Sequence, residues 1–408
     1  MDPLAQTRHS ESTASNTFRL TAEPPVFTRG EGPFLFTADG ARYVDLVWGS
    51  ATTSLGHGHP AHITAIESAV RSGILHTGTR LPSAPRAALY AKLQTHLPSH
   101  LSAIHLANSG AEAIETAIKA AMHATQRRHF IAFEGGYHGR TLGALALTHA
   151  EHLRAPFEPW ATPWVSFAPY AATDAQAITA LEALETLLAN SRPIAALVIE
   201  AVQGVAGVLG PSALFLKGVQ RLARAHGALL IVDEIWSGLG RSGRWFAYEL
   251  AELDPDLVVL GKSLSASLPL SAVAGRPELL QSWKPGTHTS TFQGNPAACA
   301  AAVAIFEVCV VLASTGRKRQ MMTQPTSLEE KRIFRARAVY VATQRERCRR
   351  AVDYVFEPSD TQVLTFTSVP KHAPLMKHRG RNVQSKYDPE LRLPIYDSGT
   401  DGVGRALA

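Results

Sequence analysis

Cysteine is scarce in this chain, and its scarcity argues against two kinds of site. The 408 residues include three cysteines, Cys299, Cys309 and Cys348. Their number is odd, and they lack the close spacing of zinc ligands. We therefore expect neither a disulfide framework nor a metal site. Free thiols at this frequency are typical of the reducing cytoplasm, so a cytoplasmic protein is expected.

Long apolar runs are missing as well. The N-terminus, MDPLAQTRHSESTASNT, lacks the apolar core of a secretory signal peptide. The longest apolar stretch, residues 297–313, is rich in alanine and contains Glu307, which favours a buried helix over a membrane span. A composition of 45% hydrophobic and 18% charged residues is ordinary for a soluble globular protein. We expect no membrane association, and a length that allows two domains.

The order of patterns along the chain predicts its organisation. Residues 1–20 are polar and predict a disordered arm, whereas residues 21–55 contain turn signals between apolar runs and predict short antiparallel strands. From residue 56 to 312, runs of valine, isoleucine and leucine alternate with helical patterns. This alternation predicts an α/β domain with a mostly parallel sheet and helices on both faces.

Three helices have clear signals. Residues 110–126 show helical periodicity, and SALFLKGVQRLARAHG predicts an amphipathic helix with Ser212 as its N-cap and Gly227 as its stop. Asn295 and Pro296 form a cap and first-turn pair before the alanine-rich stretch. We therefore expect these three helices to pack around the sheet.

Polar side chains follow three of the apolar runs: Glu200 after AALVI, Asp233 after ALLIV, and Lys262 after LVVLG. Ligands of parallel sheets bind outside such carboxyl ends. A lysine in a low-dielectric cleft loses its proton more readily and can attack a carbonyl. A carboxylate nearby could hold a pyridinium nitrogen, so the pair suits pyridoxal phosphate. A solvated lysine and a helix N-cap at Asp233 are the alternatives.

Two loops could bind an anion or a planar ring. Ser109, Gly110 and Ala111 open a predicted helix, where free N–H groups favour a phosphate, although simple helix capping explains them equally well. In FEGGYHGRT, Tyr137 could stack on a ring and Arg140 could bind a carboxylate, or they could serve packing and a surface ion pair. No Walker motif competes for the phosphate.

The motifs NSGAEA, YHGRT, IEAVQG, IVDEIWSGLGRSG, LGKS and STFQGNPAACAAA together resemble the class III aminotransferases, which have the fold type I architecture of pyridoxal-phosphate enzymes. The resemblance runs in order from about residue 26 to 310. It implies a seven-stranded, mostly parallel large domain with helices on both faces. A smaller α/β domain would come from the N- and C-terminal segments.

The resemblance implies an aminotransferase. It would move the terminal amino group of an amino acid or diamine to a 2-oxo acid such as 2-oxoglutarate. The cycle would be ping-pong. One alternative is another fold type I reaction, such as that of an aminomutase. The other is a catalytically impaired protein that has lost its small domain. No nucleic acid is expected as a partner.

The resemblance also implies roles for single residues. Lys262 would bind pyridoxal phosphate covalently and then carry the substrate proton, while Asp233 would keep the ring nitrogen protonated. The remaining cofactor contacts would be Ser109, Gly110 and Ala111 on the phosphate, Tyr137 and Ile235 on the ring faces, and Thr291 on the phosphate of a partner subunit. A homodimer is therefore expected. The substrate would meet Arg140, Glu200 and Ser50.

The chain departs from the family in three places, of which Ser50, a small residue after Gly49, is weakly informative. Trp236 stands where the family has a glutamine, and an indole is bulkier and can only donate a hydrogen bond. After about residue 312 the resemblance stops, and the same region, residues 314–408, carries 18 Lys and Arg against 10 Asp and Glu. Residues 313–408 therefore stand in the place of the small domain. A reading-frame change, a divergent domain and a basic binding tail are the three explanations.

Overall fold

The computed structural model describes residues 2–18, 21–158, 164–314, 361–364, 377–378 and 381–382. The chain divides into two compact units. The first comprises Met1–Ser50, Gly56–Gly58 and Gln324–Ala408, and the second comprises Ala51–Leu55 and His59–Thr323. The second unit thus starts earlier than the expected boundary at residue 56. The reason is packing, because Leu55 lies in a cluster with Ala266 and Ile305 of that unit.

The helices are numbered in chain order. They are α1 (Pro3–Ser10), α2 (Trp48–Ala51), α3 (Pro60–Arg71), α4 (Ala84–His96), α5 (Gly110–Thr125), α6 (Leu142–Leu147), α7 (Glu151–Arg154), α8 (Asp174–Asn190), α9 (Ala213–Ala225), α10 (Pro277–Leu280) and α11 (Pro296–Ser314). Within the described residues, three short 3-10 turns are also present. They are Ala155–Phe157, Ala247–Ala251 and Lys262–Leu264.

The strands of the described residues form three sheets. They are β1 (Phe27–Glu31), β2 (Phe34–Thr37), β3 (Arg42–Asp45), β4 (Ala103–Ala107), β5 (His129–Phe133), β6 (Val165–Ala168), β7 (Ile194–Glu200), β8 (Leu229–Asp233), β9 (Leu257–Leu260), β10 (Ser271–Gly275), β11 (Thr361–Leu364), β12 (Lys377–His378) and β13 (Arg381–Asn382). Of the range from Gln324 onward, only β11, β12 and β13 are described.

The first unit contains a four-stranded sheet in the order β1-β2-β3-β11. The pairs β1–β2 and β2–β3 are antiparallel, and β11 runs parallel to β3. The expected disordered arm, residues 1–20, instead includes helix α1. Asp2 caps this helix by accepting hydrogen bonds from the N–H groups of Leu4 and Ala5, and Pro3 occupies the first turn, where its missing N–H costs nothing.

The second unit is built on a seven-stranded sheet in the order β4-β10-β9-β8-β7-β5-β6. Its strands β5 to β9 are parallel to one another, and β10 runs antiparallel to both β9 and β4. The predicted mostly parallel α/β sheet is confirmed. All seven residues of β7 are buried, as expected for a strand covered on both faces.

Alternate residues of the central strands enter two separate cores. In β7, Leu197 and Ile199 pack in the core that includes α8 and α9, whereas Ala196 and Val198 pack in the core that includes α5. This alternation follows from the two-residue period of a strand. Each fully buried large apolar side chain contributes about 1.5–3 kcal/mol to stability relative to exposure. The two cores therefore support the sheet from both of its faces.

The predicted helix signals are confirmed. The hydroxyl of Ser212 accepts a hydrogen bond from the N–H of Phe215 at the start of α9, and Gly227 follows the helix with φ +60°. The side chain of Asn295 accepts from the first N–H groups of α11. Helix α11 holds the longest apolar stretch. Across the part of the chain that the structure describes, no helix has the length and hydropathy needed to cross a bilayer.

Candidate active site

Three adjacent strands bring Glu200, Asp233 and Lys262 to one edge of the sheet. Strands β7, β8 and β9 are neighbours, and Glu200 pairs directly with Asp233 across β7 and β8. Asp233 in turn pairs with Val259 of β9, and Lys262 follows the end of that strand. The expectation that these residues share the carboxyl edge is therefore supported by the strand order.

Lys262 has an unusual backbone conformation. Its φ is +43°, in the left-handed region that residues with a side chain rarely adopt, and it begins the 3-10 turn that ends at Leu264. Such conformations persist only where the surrounding structure enforces them, and they concentrate at functional sites. The Ser263 hydroxyl in this turn accepts a hydrogen bond from the guanidinium of Arg241, at 2.8 Å. The turn therefore fixes the direction in which the lysine leaves the strand.

The surroundings of Lys262 favour its neutral amine. Burial lowers the pKa of Lys262, and the charge of Arg241 lowers it further, while Asp233 and Glu200 act in the opposite direction. A lysine with a lowered pKa is a better nucleophile at neutral pH than a solvated one. This side chain can therefore form a covalent bond to a carbonyl group.

Asp233 is buried in a hydrogen-bonded pair with His138. The Nδ1 atom of His138 lies 2.8 Å from Oδ2 of Asp233, and Oδ1 of Asp233 accepts a hydrogen bond from the N–H of Ile235. Burial opposes a charged imidazole, but the hydrogen bond and negative charge of Asp233, with Glu200, outweigh it and raise the pKa of His138. The pair thus carries a fixed carboxylate and a readily protonated imidazole.

His138 was not assigned a role from the sequence. It was visible only as the neighbour of Tyr137 in YHGRT, on the loop after β5. Its partner Asp233 ends a different strand, so only the folded chain reveals the pair. The nearest signal in the sequence was a histidine in a glycine-rich loop that follows a buried strand.

Glu200 is held by two backbone N–H groups. Its Oε1 accepts from Tyr137 at 2.8 Å and its Oε2 accepts from Gly204 at 2.9 Å. Burial raises the pKa of Glu200 to about 7, with His138 opposing this rise and Asp233 adding to it. The carboxyl group of Glu200 therefore holds its proton more firmly than that of a solvated glutamate.

The N-terminus of α5 lies beside the lysine turn. A Cβ atom added to Gly110 would come within 2.9 Å of Cδ1 of Ile235. A Cβ atom on Gly261, which precedes Lys262, would lie 3.7 Å from the Cα of Gly110 and 3.3 Å from the Ile235 side chain. The first N–H groups of a helix have no partner within the helix, so this end can bind an anion.

Capping and anion binding are compatible at this helix. The Ser109 hydroxyl accepts a hydrogen bond from the N–H of Glu112, and the Glu112 carboxylate accepts from the backbone of Asn108 and Ser109. The Ser109 side chain therefore serves as the N-cap. The N–H groups of Gly110 and Ala111 lie in the first turn of the helix, where they have no carbonyl partner within the helix and can donate to an anion.

These residues fit pyridoxal phosphate. A buried carboxylate suits a pyridinium nitrogen, a lysine with a lowered pKa suits an aldehyde, and the helix N-terminus suits a phosphate. The absence of side chains on Gly110 and Gly261 leaves room for the side chain of Ile235 beside the start of α5. Among the described residues, no group of three or more His, Cys, Asp or Glu side chains is placed to hold a metal ion.

The other expected site residues lie in different surroundings. Tyr137 is half-buried, and its hydroxyl accepts a hydrogen bond from Nε of the exposed Arg140, at 3.2 Å. Thr291 is exposed, and its carbonyl accepts from Nε2 of His76. Ser50 belongs to the first unit and has φ +63° in the left-handed turn Trp48–Ala51.

Comparison with known proteins gives a consistent answer. A family described as Aminotransferase class-III matches residues 19–325. An acetylornithine aminotransferase from Archaeoglobus fulgidus is 38% identical over 288 residues, which are 71% of this chain and 73% of that protein. The ornithine aminotransferase from Toxoplasma gondii ME49 is 33% identical with a TM-score of 0.67, covering 77% of this chain and 72% of the other. An (S)-enantioselective omega-transaminase from Thermomicrobium roseum is 28% identical with a TM-score of 0.70, covering 76% and 75%.

Proposed function

Because the chain belongs to the class-III aminotransferase family and uses pyridoxal phosphate as that family does, we propose that Lys262 is the residue to which the cofactor attaches. The observation that supports this most directly is the strained turn at Lys262, which begins beside Gly110 at the start of α5 and near Asp233. When bound, the cofactor supplies an electron sink for a substrate carbon that loses its proton. The Nζ atom of Lys262 would carry that proton.

Asp233 and His138 would act together on the ring nitrogen. The carboxylate of Asp233 accepts hydrogen bonds and can hold a proton on the nitrogen by its charge. His138 keeps the carboxylate oriented and contributes a positive charge when protonated. This arrangement would keep the ring ready to accept electrons throughout the reaction.

The position of Ile235 beside the start of α5 supports the proposed ring and phosphate contacts. Ile235 lies between Gly110 and Gly261 and would cover one ring face, while Tyr137 would cover the other. Ser109, Gly110 and Ala111 would bind the phosphate at the start of α5. These contacts orient the cofactor and exclude water from the reacting atoms.

The substrate side would involve Arg140 and Glu200, and Ser50 remains a prediction from the resemblance alone. Arg140 is exposed and positively charged, so it would bind a substrate carboxylate. We propose that the donated amino group is the terminal one of an amino acid or diamine, which the acetylornithine, ornithine and omega-transaminase names of the relatives support. A 2-oxo acid such as 2-oxoglutarate would then receive it in a ping-pong cycle.

Dependence on the acceptor tests this function. Purified protein with pyridoxal phosphate and ornithine, acetylornithine or 4-aminobutyrate is expected to form glutamate only when 2-oxoglutarate is added. The measurement is chromatography of the amino acids with and without the acceptor. Product formed from the donor at equal rates without any 2-oxo acid would contradict transamination and would indicate an isomerising reaction instead.

An apolar surface supports the expected homodimer. It consists of the exposed side chains Ile74, Leu75, Leu81 and Phe292. The side chain of Asn295 donates to the carbonyl of Leu75, which keeps the two segments of the surface together. Thr291 lies within it, so a partner on this surface would meet the residue proposed to bind that partner's phosphate. Exposed apolar surfaces of this kind mark interaction sites.

The substitution Phe292→Asp should weaken the dimer. Burial of a phenylalanine contributes about 1.5–3 kcal/mol, and a buried charge adds a further cost, so the dissociation constant should rise at least about 10-fold. Sedimentation equilibrium measures the change. The matched control is Ile178→Asp on α8, which is also an exposed apolar side chain. Equal masses for the two variants would contradict the proposed interface.

The proposed location is the cytoplasm. Cys299 and Cys309 are free and buried, which suits a reducing compartment.

A further inference from the structure

The indole of Trp236 lies directly against Gly204. A Cβ atom added to Gly204 would come within 2.6 Å of Cγ and 2.7 Å of Cδ2 of the indole. Side-chain contacts this short do not occur, so any residue larger than glycine would push the indole away or move its own loop. The residue that departs from the family pattern is therefore packed against a specific partner.

The backbone conformation at position 204 does not require a glycine. Gly207 in the same loop has φ +102°, a conformation that favours glycine, but Gly204 is not among the residues with positive φ. An alanine at position 204 would therefore meet no backbone strain. Glycine is needed at position 204 because a side chain there would clash with Trp236.

Gly204 also holds a charged group of the site. Its N–H donates to Oε2 of Glu200, at 2.9 Å. On the other side of the contact, the carbonyl of Trp236 accepts from Nε of Arg241 at 2.7 Å, and Arg241 also donates to the Ser263 hydroxyl beside Lys262. The Cζ atom of Arg241 lies 5.2 Å from the centre of the indole ring. Trp236 thus connects the loop that holds Glu200 with the turn that holds Lys262.

We propose that Trp236 is a positioning residue whose indole keeps the N–H of Gly204 on the Glu200 carboxylate, so that Glu200 stays fixed beside Lys262. The inference rests on the proposed function for the role of Lys262, but the contact itself does not depend on that function. A glutamine at this position could not replace the flat apolar face that covers Gly204.

The electrostatic consequence has a definite sign. Glu200 faces His138 and Asp233, and its charge also acts on Lys262 and Tyr170. The hydrogen bond from Gly204 stabilises the charged carboxylate and lowers the pKa of Glu200 against the larger effect of burial. Loss of this bond would leave Glu200 more protonated at neutral pH. A less negative Glu200 stabilises positive charge at Lys262 less, so protonation there would require a lower pH.

A double-mutant cycle tests the contact. In the holoenzyme, Gly204→Ala is expected to lower Tm by about 5 °C, because overpacking a fitted contact is costly. In a Trp236→Gln background, the same alanine should have almost no further effect, since the smaller side chain leaves room for it. Equal losses of Tm in both backgrounds would show that the indole and Gly204 do not interact.

A pH titration of the bound cofactor's absorbance tests the positioning role. The midpoint should move to lower pH by about half a unit or more in Trp236→Gln, since a hydrogen bond to the charged carboxylate is lost. Trp236→Phe, which retains a flat ring, should keep the midpoint of the original protein. An unchanged midpoint in Trp236→Gln with a lowered Tm would overturn the proposal and leave Trp236 as a packing residue.

Failure of this inference can be told apart from failure of the proposed function. If Lys262 did not bind the cofactor, its substitution would leave the absorbance of the bound cofactor unchanged. The double-mutant cycle reads thermal stability and would still report whether Trp236 and Gly204 are coupled.

Discussion

The substitution Lys262→Ala is expected to lower the rate of transamination by at least about 10³-fold, because it removes both the nucleophile and the proton carrier. A methyl group can neither attack a carbonyl nor accept a proton. Steady-state formation of glutamate from 2-oxoglutarate measures the loss. Borohydride reduction followed by peptide mass spectrometry should find the cofactor on the Lys262 peptide of the original protein only.

The matched control for this experiment is Lys217→Ala. Lys217 is an exposed lysine on α9, and its ion pair with Glu252 at the surface contributes little to stability. This variant should retain the original rate. A Lys262→Ala protein with the original rate, or with reducible cofactor elsewhere, would disprove the assignment of the lysine.

The substitution Asp233→Asn is expected to lower kcat by about 10²–10³-fold, as does the removal of one electrostatic partner of a transition state in other enzymes. Asparagine has the same shape, and its oxygen can still accept from the N–H of Ile235, but it carries no charge to hold a proton on the ring nitrogen. Rates at saturating substrate measure the effect, and circular dichroism checks the fold. Asp174→Asn, an exposed residue at the start of α8, is the control.

The result at Asp233 can also contradict the proposal. An Asp233→Asn protein that folds, binds the cofactor and keeps its kcat would show that the carboxylate does not act on the ring nitrogen. A rate recovered at low pH would instead indicate that the ring nitrogen had regained its proton from solvent.

Much of the fold was visible in the sequence because local patterns determine it. The apolar runs of β7, β8 and β9 and the caps Ser212 and Asn295 have short-range signals, and each was located correctly. The order of the strands was not visible, because backbone pairing depends on packing between distant segments. Strand β10 shows this: its apolar run gave no indication that it would insert between β4 and β9 and run antiparallel to both.

The site was predictable only in part for the same reason. Lys262, Asp233 and Glu200 could be found because each follows an apolar run, and the strand order then brings them together. The pairs His138–Asp233 and Trp236–Gly204 each join distant parts of the chain, so no local pattern reveals them. Helix α1 was missed because its segment is polar and shows no apolar periodicity. The cap at Asp2 was its main local signal.

The change expected after residue 312 agrees with the extent of the family match, which ends at residue 325. The three explanations for this change concern residues 313–408, which lie largely outside the described residues. Of these, the structure describes residue 313, Ser314 and the short strands β11, β12 and β13. Translation of the coding DNA in all frames separates a reading-frame change from a divergent domain, as a matching small domain would appear in another frame.

The order of strands in the large sheet divides the site into two parts. The residues that end β7, β8 and β9 are close in sequence, whereas the start of α5 is far from them along the chain. Strands β7, β8 and β9 are consecutive in the sequence and adjacent in space, so Glu200, Asp233 and Lys262 come together through short chain closures with a small entropic cost. The start of α5 follows β4, which pairs with β10 across more than 160 residues. A ligand that contacts both parts binds only when they are together, so its binding free energy stabilises the long-range pairing of β4 with β10. The cofactor would thus stabilise the strand pairing with the longest chain closure in the large sheet.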